Sequence, residues 1–131
     1  MKIIGVDHFT INVFSMEKSI QFYEEIMQLE KEEQVDMGDH IIQYFKIDVS
    51  NTLELIKYNY KTDRIAGKAD NQGIYRHLAI CVDNIEDAFL QIEKSPDVKM
   101  LMSPADCPKL KFKNFLFRDP NGVEIEIVER Y

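Results

Sequence analysis

Apolar and polar residues alternate near the start of the chain, as they do in a half-buried strand. Phe9, Ile11 and Val13 fall on one face, and His8 and Thr10 fall on the other. We therefore predict a first strand over residues 2–13, with its apolar face toward a core.

The apolar spacing then lengthens to that of a helix. Ile20, Tyr23 and Met27 follow Met16 at steps of four, three and four residues, which places all four on one helical stripe. Ser15 stands where an N-cap is expected. The pattern predicts an amphipathic helix that lies across a sheet.

Three extended segments follow this helix, around residues 31–37, 40–48 and 52–58. Turn-forming Gly-Asp and Ser-Asn pairs separate them. The first half is therefore predicted to have the order β-α-β-β-β. The polar stretch 60–73 is predicted to be a linker.

The second half repeats the first. A shift of 69 positions brings together the identical pairs His8 with His77, Ile11 with Ile80, Val13 with Val82 and Glu17 with Glu86. A shift of 72 positions superimposes residues 53–56 on 125–128. Such self-similarity is typical of a repeated structural unit. We predict one domain over residues 1–131, made of two repeats at about 1–59 and 74–131.

Within the second repeat, Asn84 is placed to cap a helix, and strands are predicted near residues 98–102, 111–118 and 123–129. The sequence Asp-Pro-Asn-Gly at 119–122 fits a tight type I turn before the last strand. In that strand Ile125 and Ile127 share a face, and Glu126 lies on the opposite one.

Composition and net charge limit the classes of partner and cellular location that fit the chain. With 131 residues, of which 45% are hydrophobic, the chain is able to form a core. The formal charge of −7 argues against nucleic acid or an anionic membrane as the main partner and favours small molecules or proteins. No apolar run approaches the roughly 20 residues of a membrane span. Two cysteines and the lack of a leader segment predict a reduced, cytoplasmic protein.

Each half supplies one histidine on its first strand and one glutamate on its last: His8 with Glu54, and His77 with Glu126. The residue that follows each histidine and the two residues that flank each glutamate are apolar, so all four side chains are expected on the sheet face turned away from the helices. Two imidazoles and two carboxylates suit a divalent metal such as Ni, Co, Zn, Mn or Fe. For any one of them, a packed histidine or a solvated glutamate is the ordinary alternative.

These motifs resemble the vicinal oxygen chelate superfamily, which includes glyoxalase I, methylmalonyl-CoA epimerase, extradiol dioxygenases, and fosfomycin- and bleomycin-resistance proteins. The resemblance is carried by residues 6–11, 19–23, 53–55, 76–83 and 119–122 together with Glu126. It implies an α+β fold in which two βαβββ modules form a half-open β-barrel cleft. It also implies a metal held by His8, Glu54, His77 and Glu126, and a homodimer.

The resemblance is greatest to glyoxalase I-like members, because the dioxygenases and transferases lack a carboxylate where Glu54 stands. It implies lactoylglutathione lyase-like isomerisation of a hemithioacetal of methylglyoxal and a small thiol. Glu126 would be the catalytic base and Glu54 its partner on the opposite side of the substrate. Members that use glutathione tend to have an arginine where this chain has Asn12, so another thiol, a CoA ester and an unrelated substrate with vicinal oxygens all stay open as alternatives.

Other members of the superfamily give the alternatives. The epimerase usually has an amide at the position of Glu54. Binding proteins of the bleomycin-resistance type usually lack the metal ligands. A dioxygenase or a thiol transferase is the remaining enzymatic possibility.

Overall fold

The computed structural model describes residues 1–2, 4–63, 68, 70–73 and 75–131. Two compact units make up the chain, Met1–Thr62 and Asp63–Tyr131. The predicted linker 60–73 falls partly outside the described residues. None of the helices within the described ranges has the length and apolar character needed to cross a membrane.

The first unit contains one mixed four-stranded sheet and one helical segment. Its elements are β1 (His8–Asn12), α1 (Met16–Gln21) with a π-helical turn (Phe22–Ile26), β2 (Glu30–Asp36), β3 (His40–Lys46) and β4 (Thr52–Tyr58). The strand order is β1-β4-β3-β2. β1 runs parallel to β4, and the other pairs are antiparallel.

The second unit has the same plan. Its elements are β5 (Leu78–Cys81), α2 (Ile85–Ile92), β6 (Lys99–Cys107), a 3₁₀ turn (Pro108–Leu110), β7 (Phe112–Arg118) and β8 (Glu124–Arg130). The strand order is β5-β8-β7-β6, with β5 parallel to β8. The predicted α+β fold with two β-α-β-β-β modules is therefore confirmed.

Some predicted boundaries were wrong. The first strand starts at His8, because its neighbour β4 starts at Thr52, which pairs with His8. Residues 1–2 and 4–7, which are the described residues before His8, therefore have no strand beside them in that sheet, and Ile4 is 94% exposed. In the second unit, β6 extends to Cys107 instead of ending near residue 102. β6 is an edge strand, so it tolerates Pro104 and the irregular pairing there.

The first helix also differs from the prediction. Its regular part ends at Gln21, and the chain then widens into the π-helical turn, in which the N–H of Met27 donates to the carbonyl of Phe22 at 3.0 Å. Phe22 and Tyr23 are both buried there. The helical stripe identified Tyr23 as buried but not Phe22. In a regular helix, adjacent side chains point in directions about 100° apart, so both would not be expected to face the core.

The buried faces of the two sheets fix the direction of the site residues. In the first unit, Leu53 and Leu55 are almost fully buried, and in the second Ile125 and Ile127 are. Side chains alternate along a strand, so the residue between each buried pair points to the other face of its sheet. Those residues are the two glutamates of the predicted site.

The turn before β8 forms as predicted. The N–H of Gly122 donates to the carbonyl of Asp119 at 2.9 Å, and the Asp119 carboxylate accepts from the N–H groups of Asn121 and Val123. Gly122 has φ +83°, which glycine adopts at little cost. The turn connects β7 to β8 in the register that pairs Glu126 with Leu116.

Candidate functional site

His8 and Glu54 lie side by side in the first unit. His8 pairs with Thr52 across the parallel strands, and Glu54 is two residues further along β4 on the same face. Nε2 of His8 is 3.5 Å from Oε2 of Glu54. The Glu54 side chain is only 12% exposed, so its carboxylate is held in a largely enclosed position.

Asp7 holds the other nitrogen of the His8 ring. Nδ1 of His8 is 2.7 Å from Oδ2 of Asp7. A carboxylate only accepts, so Nδ1–H donates and Nε2 is the nitrogen that faces Glu54. This hydrogen bond, together with the charge of Glu54, raises the pKa of His8 above its usual value.

Two hydroxyl groups hold the Glu54 carboxylate. Thr10 Oγ1 donates to Oε2 at 2.8 Å. Tyr44 lies directly opposite Glu54 on β3 and also hydrogen-bonds to its carboxylate, which raises the pKa of the Tyr44 phenol. Both donors are neutral, so they orient the carboxylate without adding charge.

The second unit brings His77 and Glu126 together. Nε2 of His77, just before β5, is 3.0 Å from Oε2 of Glu126 on β8. The amide of Asn114 on β7 donates to Oε1 of Glu126 at 2.7 Å. The Glu126 side chain is 12% exposed, the same as that of Glu54.

An ion cluster lies beside the second pair. Glu124 precedes Glu126 by two residues on the same face of β8, and Arg118 Nη2 is 3.1 Å from its carboxylate. Arg76 also contacts Glu124. The carboxylate of Glu124 is therefore paired with two guanidinium groups, which distinguishes it from Glu126.

The donor chemistry fits a divalent metal. Two adjacent ligands at metal–donor distances of about 2.1 Å lie about 3 Å apart. The nitrogen–oxygen distances of 3.5 Å and 3.0 Å in the two pairs are near that value. No group of three or more His, Cys, Asp or Glu side chains suited to a metal occurs among the described residues. Each unit thus supplies two donors, and the four-ligand set stays a prediction.

Four contact residues were not predicted as parts of the site: Asp7, Thr10, Tyr44 and Asn114. Alternation along β1 already placed Thr10 on the face of His8. Tyr44 and Asn114 come from β3 and β7, and their closeness to the glutamates depends on strand pairing that one sequence does not show. Asp7 precedes His8 directly, and nothing in the pattern indicated that its side chain would turn back to the ring.

Comparison with known proteins gives matches along nearly the whole chain. The model of the Glyoxalase/Bleomycin resistance protein/Dioxygenase superfamily matches residues 5–127. Human mitochondrial methylmalonyl-CoA epimerase is 28% identical over 78% of this chain and 68% of that protein.

Solved structures share the fold at lower identity. A glyoxalase I variant from Zea mays has a TM-score of 0.77 and 22% identity, covering 94% of this chain and 45% of its own. An antibiotic-binding protein from Streptomyces sp. CB03234 has a TM-score of 0.76 and 18% identity, covering 100% and 99%. At these identities the structural likeness establishes the fold alone.

Proposed function

Because the chain belongs to the glyoxalase/bleomycin resistance protein/dioxygenase superfamily, we propose that it is a metal-dependent enzyme that moves a proton at a carbon next to a carbonyl. The first candidate is glyoxalase I-like isomerisation of a hemithioacetal formed from methylglyoxal and a small thiol. The observation that carries this proposal is the presence of one His–Glu pair at the same position in each unit.

His8, Glu54, His77 and Glu126 are the residues that would hold the metal. A divalent ion bound there supplies a Lewis acid that stabilises negative charge on the two vicinal oxygens of the substrate. The fit rests on two imidazoles and two carboxylates, a donor set common to first-row divalent ions.

Glu126 is our candidate base. It takes the proton from the carbon that bears the hydroxyl and sulfur of the hemithioacetal, which leaves an enediolate. A proton then goes to the neighbouring carbon, and the product is a 2-hydroxyacyl thioester. Asn114 donates to Oε1 of Glu126 and so orients the carboxylate for this transfer. Glu54 is its counterpart in the first unit.

Epimerisation of a CoA thioester is the second candidate. It is favoured by the similarity to methylmalonyl-CoA epimerase over 78% of the chain. The chemistry also begins by removing a proton next to a thioester carbonyl, but the proton returns to the same carbon from the opposite side. Two carboxylates serve such a reaction well, because one removes the proton and the other returns it.

Elemental analysis of the purified protein and a substrate screen in deuterium oxide test the proposal. If the purified protein contains less than one metal ion per chain, Ni²⁺, Co²⁺ or Zn²⁺ is to be added before the screen. A glyoxalase converts methylglyoxal plus the correct thiol to a thioester. An epimerase instead places deuterium at the α-carbon of a 2-methyl-branched CoA thioester. A protein that takes up no metal and turns over neither substrate contradicts the proposal and favours a binding protein.

Two further proposals follow from the family. We expect a homodimer, as is usual among small glyoxalase I-like proteins. We also expect a cytoplasmic location, which agrees with the free thiols of Cys81 and Cys107.

A further inference from the structure

The two His–Glu pairs differ in the side chains that hydrogen-bond to them. In the first unit, Thr10 is the Cα partner of Glu54 on one side and Tyr44 is its partner on the other. Both side chains end in a hydroxyl group, and both hydrogen-bond to the carboxylate. The carboxylate is therefore held from both neighbouring strands.

The second unit has the same register without these donors. Ala79 is the Cα partner of Glu126 on β5, and Leu116 is its partner on β7. Neither side chain contains a hydrogen-bonding atom. Glu126 instead accepts from Asn114, which is two residues from Leu116 along β7. The contrast depends on residue identity at equivalent positions of the two sheets.

The histidines differ in a similar way. Asp7 lies directly before His8 and accepts from its Nδ1–H at 2.7 Å. The residue directly before His77 is Arg76, whose side chain contacts Glu124 and contains no acceptor for an imidazole N–H. Metal-binding histidines commonly donate their second N–H to a carboxylate or carbonyl, which fixes the ring and the tautomer. His8 has such a carboxylate.

We propose that Asp7, Thr10 and Tyr44 are positioning residues that pre-form the first unit's half of the metal site. They make His8 and Glu54 the ligands that determine metal affinity. This inference rests on the proposed metal-dependent function, which it extends to three residues outside the ligand set. Fixing both ligands before the metal arrives lowers the ordering cost of binding, because the side chains already occupy the required rotamers.

Titration of the apoprotein with Co²⁺, followed by its visible absorption, tests the proposal without any substrate. Asp7→Ala, Thr10→Val and Tyr44→Phe are each expected to raise the Kd for Co²⁺ roughly 10- to 100-fold. Thr10→Ser restores the hydroxyl and is expected to recover the affinity of the original protein. The shape of the Co²⁺ spectrum should change in Tyr44→Phe, because a released carboxylate alters the ligand geometry.

The first unit offers matched controls. Asp39 lies 2.5 Å from Nδ1 of His40, the residue that follows it, so Asp39→Ala removes the same kind of contact away from the proposed site. Tyr58→Phe removes a phenolic hydroxyl at the far end of β4, where the ring packs at a tilt against His40 and Tyr60. Neither control should change the Kd for Co²⁺. Urea denaturation of each apoprotein separates an effect on metal affinity from a loss of stability.

Each result of the Co²⁺ titration either supports or overturns the positioning role of Asp7, Thr10 and Tyr44. If the original protein binds Co²⁺ and the three variants bind it equally well, the positioning role is wrong and the metal site stands. If the variants bind Co²⁺ weakly but the metal-loaded original protein turns over no substrate, the positioning role stands and the proposed reaction is wrong. If the original protein binds no Co²⁺, both fail. Where Thr10→Val also loses stability, recovery of affinity in Thr10→Ser supports the role, and failure to recover overturns it.

Discussion

Nε2 of His77 lies 3.0 Å from Oε2 of Glu126, although 49 positions separate the two residues in the chain (126 − 77). The contact arises because β5 runs parallel to β8, with Leu78 opposite Ile125. In a parallel pair, the first residues of both strands lie at the same end of the sheet. Side chains just before one strand and near the start of the other can therefore meet on one face. The same arrangement brings His8 close to Glu54 in the first unit.

Replacing the candidate base should stop turnover while leaving the fold intact. We expect Glu126→Gln to lower kcat by about 10²- to 10⁴-fold, because an amide does not accept the substrate proton. Steady-state kinetics with the substrate found by the screen measures the effect, and circular dichroism confirms folding. Glu93→Gln, at the exposed end of α2, is the matched control and should keep full activity. A fully active Glu126→Gln protein would exclude Glu126 as the base.

Removing the metal should abolish turnover reversibly. Dialysis against a chelator is expected to give an inactive apoprotein that regains activity when the divalent ion is returned. The metal should also stabilise the folded chain, by about 2.7 kcal/mol when its free concentration is 100 times the Kd. Thermal melts with and without metal measure this difference. Unchanged activity after complete metal removal, checked by elemental analysis, would contradict a metal-dependent mechanism.

Truncating a buried aromatic side chain should destabilise the second unit. Phe115 is fully buried and packs edge-to-face on Phe89 with ring centroids 5.4 Å apart. Phe115→Ala is expected to lower the free energy of unfolding by about 3–5 kcal/mol, because it leaves a cavity. Leu90→Ala, at a side chain on α2 that is 52% exposed, should change it by no more than about 0.5 kcal/mol. Urea denaturation compares the two, and equal losses would mean that Phe115 lies outside the core.

The turn before β8 should depend on its glycine. Gly122 has φ +83°, so Gly122→Ala is expected to cost about 1–2 kcal/mol of stability from backbone strain. Gly5 provides the control, because an added Cβ there meets no atom within 4 Å. Gly5→Ala should be neutral in the same denaturation experiment. Finding Gly122→Ala as stable as Gly5→Ala would show that the turn tolerates a side chain.

The protein is expected to form a homodimer in solution. Light scattering coupled to size-exclusion chromatography should give twice the 15.4 kDa mass of one chain. The measurement is to be repeated at a low protein concentration, where a weak association would dissociate. A single-chain mass at every concentration would contradict the homodimer.

Much of the fold followed from sequence periodicity. Alternation assigned Ile11, Leu53 and Ile125 to the apolar faces of their strands, and all three are buried. A side-chain period of two leaves no choice once one face is apolar. The π-helical turn at Phe22 was not predictable from the same pattern. It depends on how the end of the helix packs on the sheet, and a helical stripe assumes regular geometry throughout.

The sequence by itself determined the repeat, the strand parity, and the choice of His8, Glu54, His77 and Glu126 as site candidates. These features are encoded in the spacing of residues along the chain. Only the tertiary structure revealed that Thr10 and Tyr44 hold Glu54, whereas Asn114 holds Glu126. Those contacts depend on the register between separate strands, which is set by turns and core packing. Two halves that match in sequence pattern therefore differ in the hydrogen bonds that they give to their glutamates.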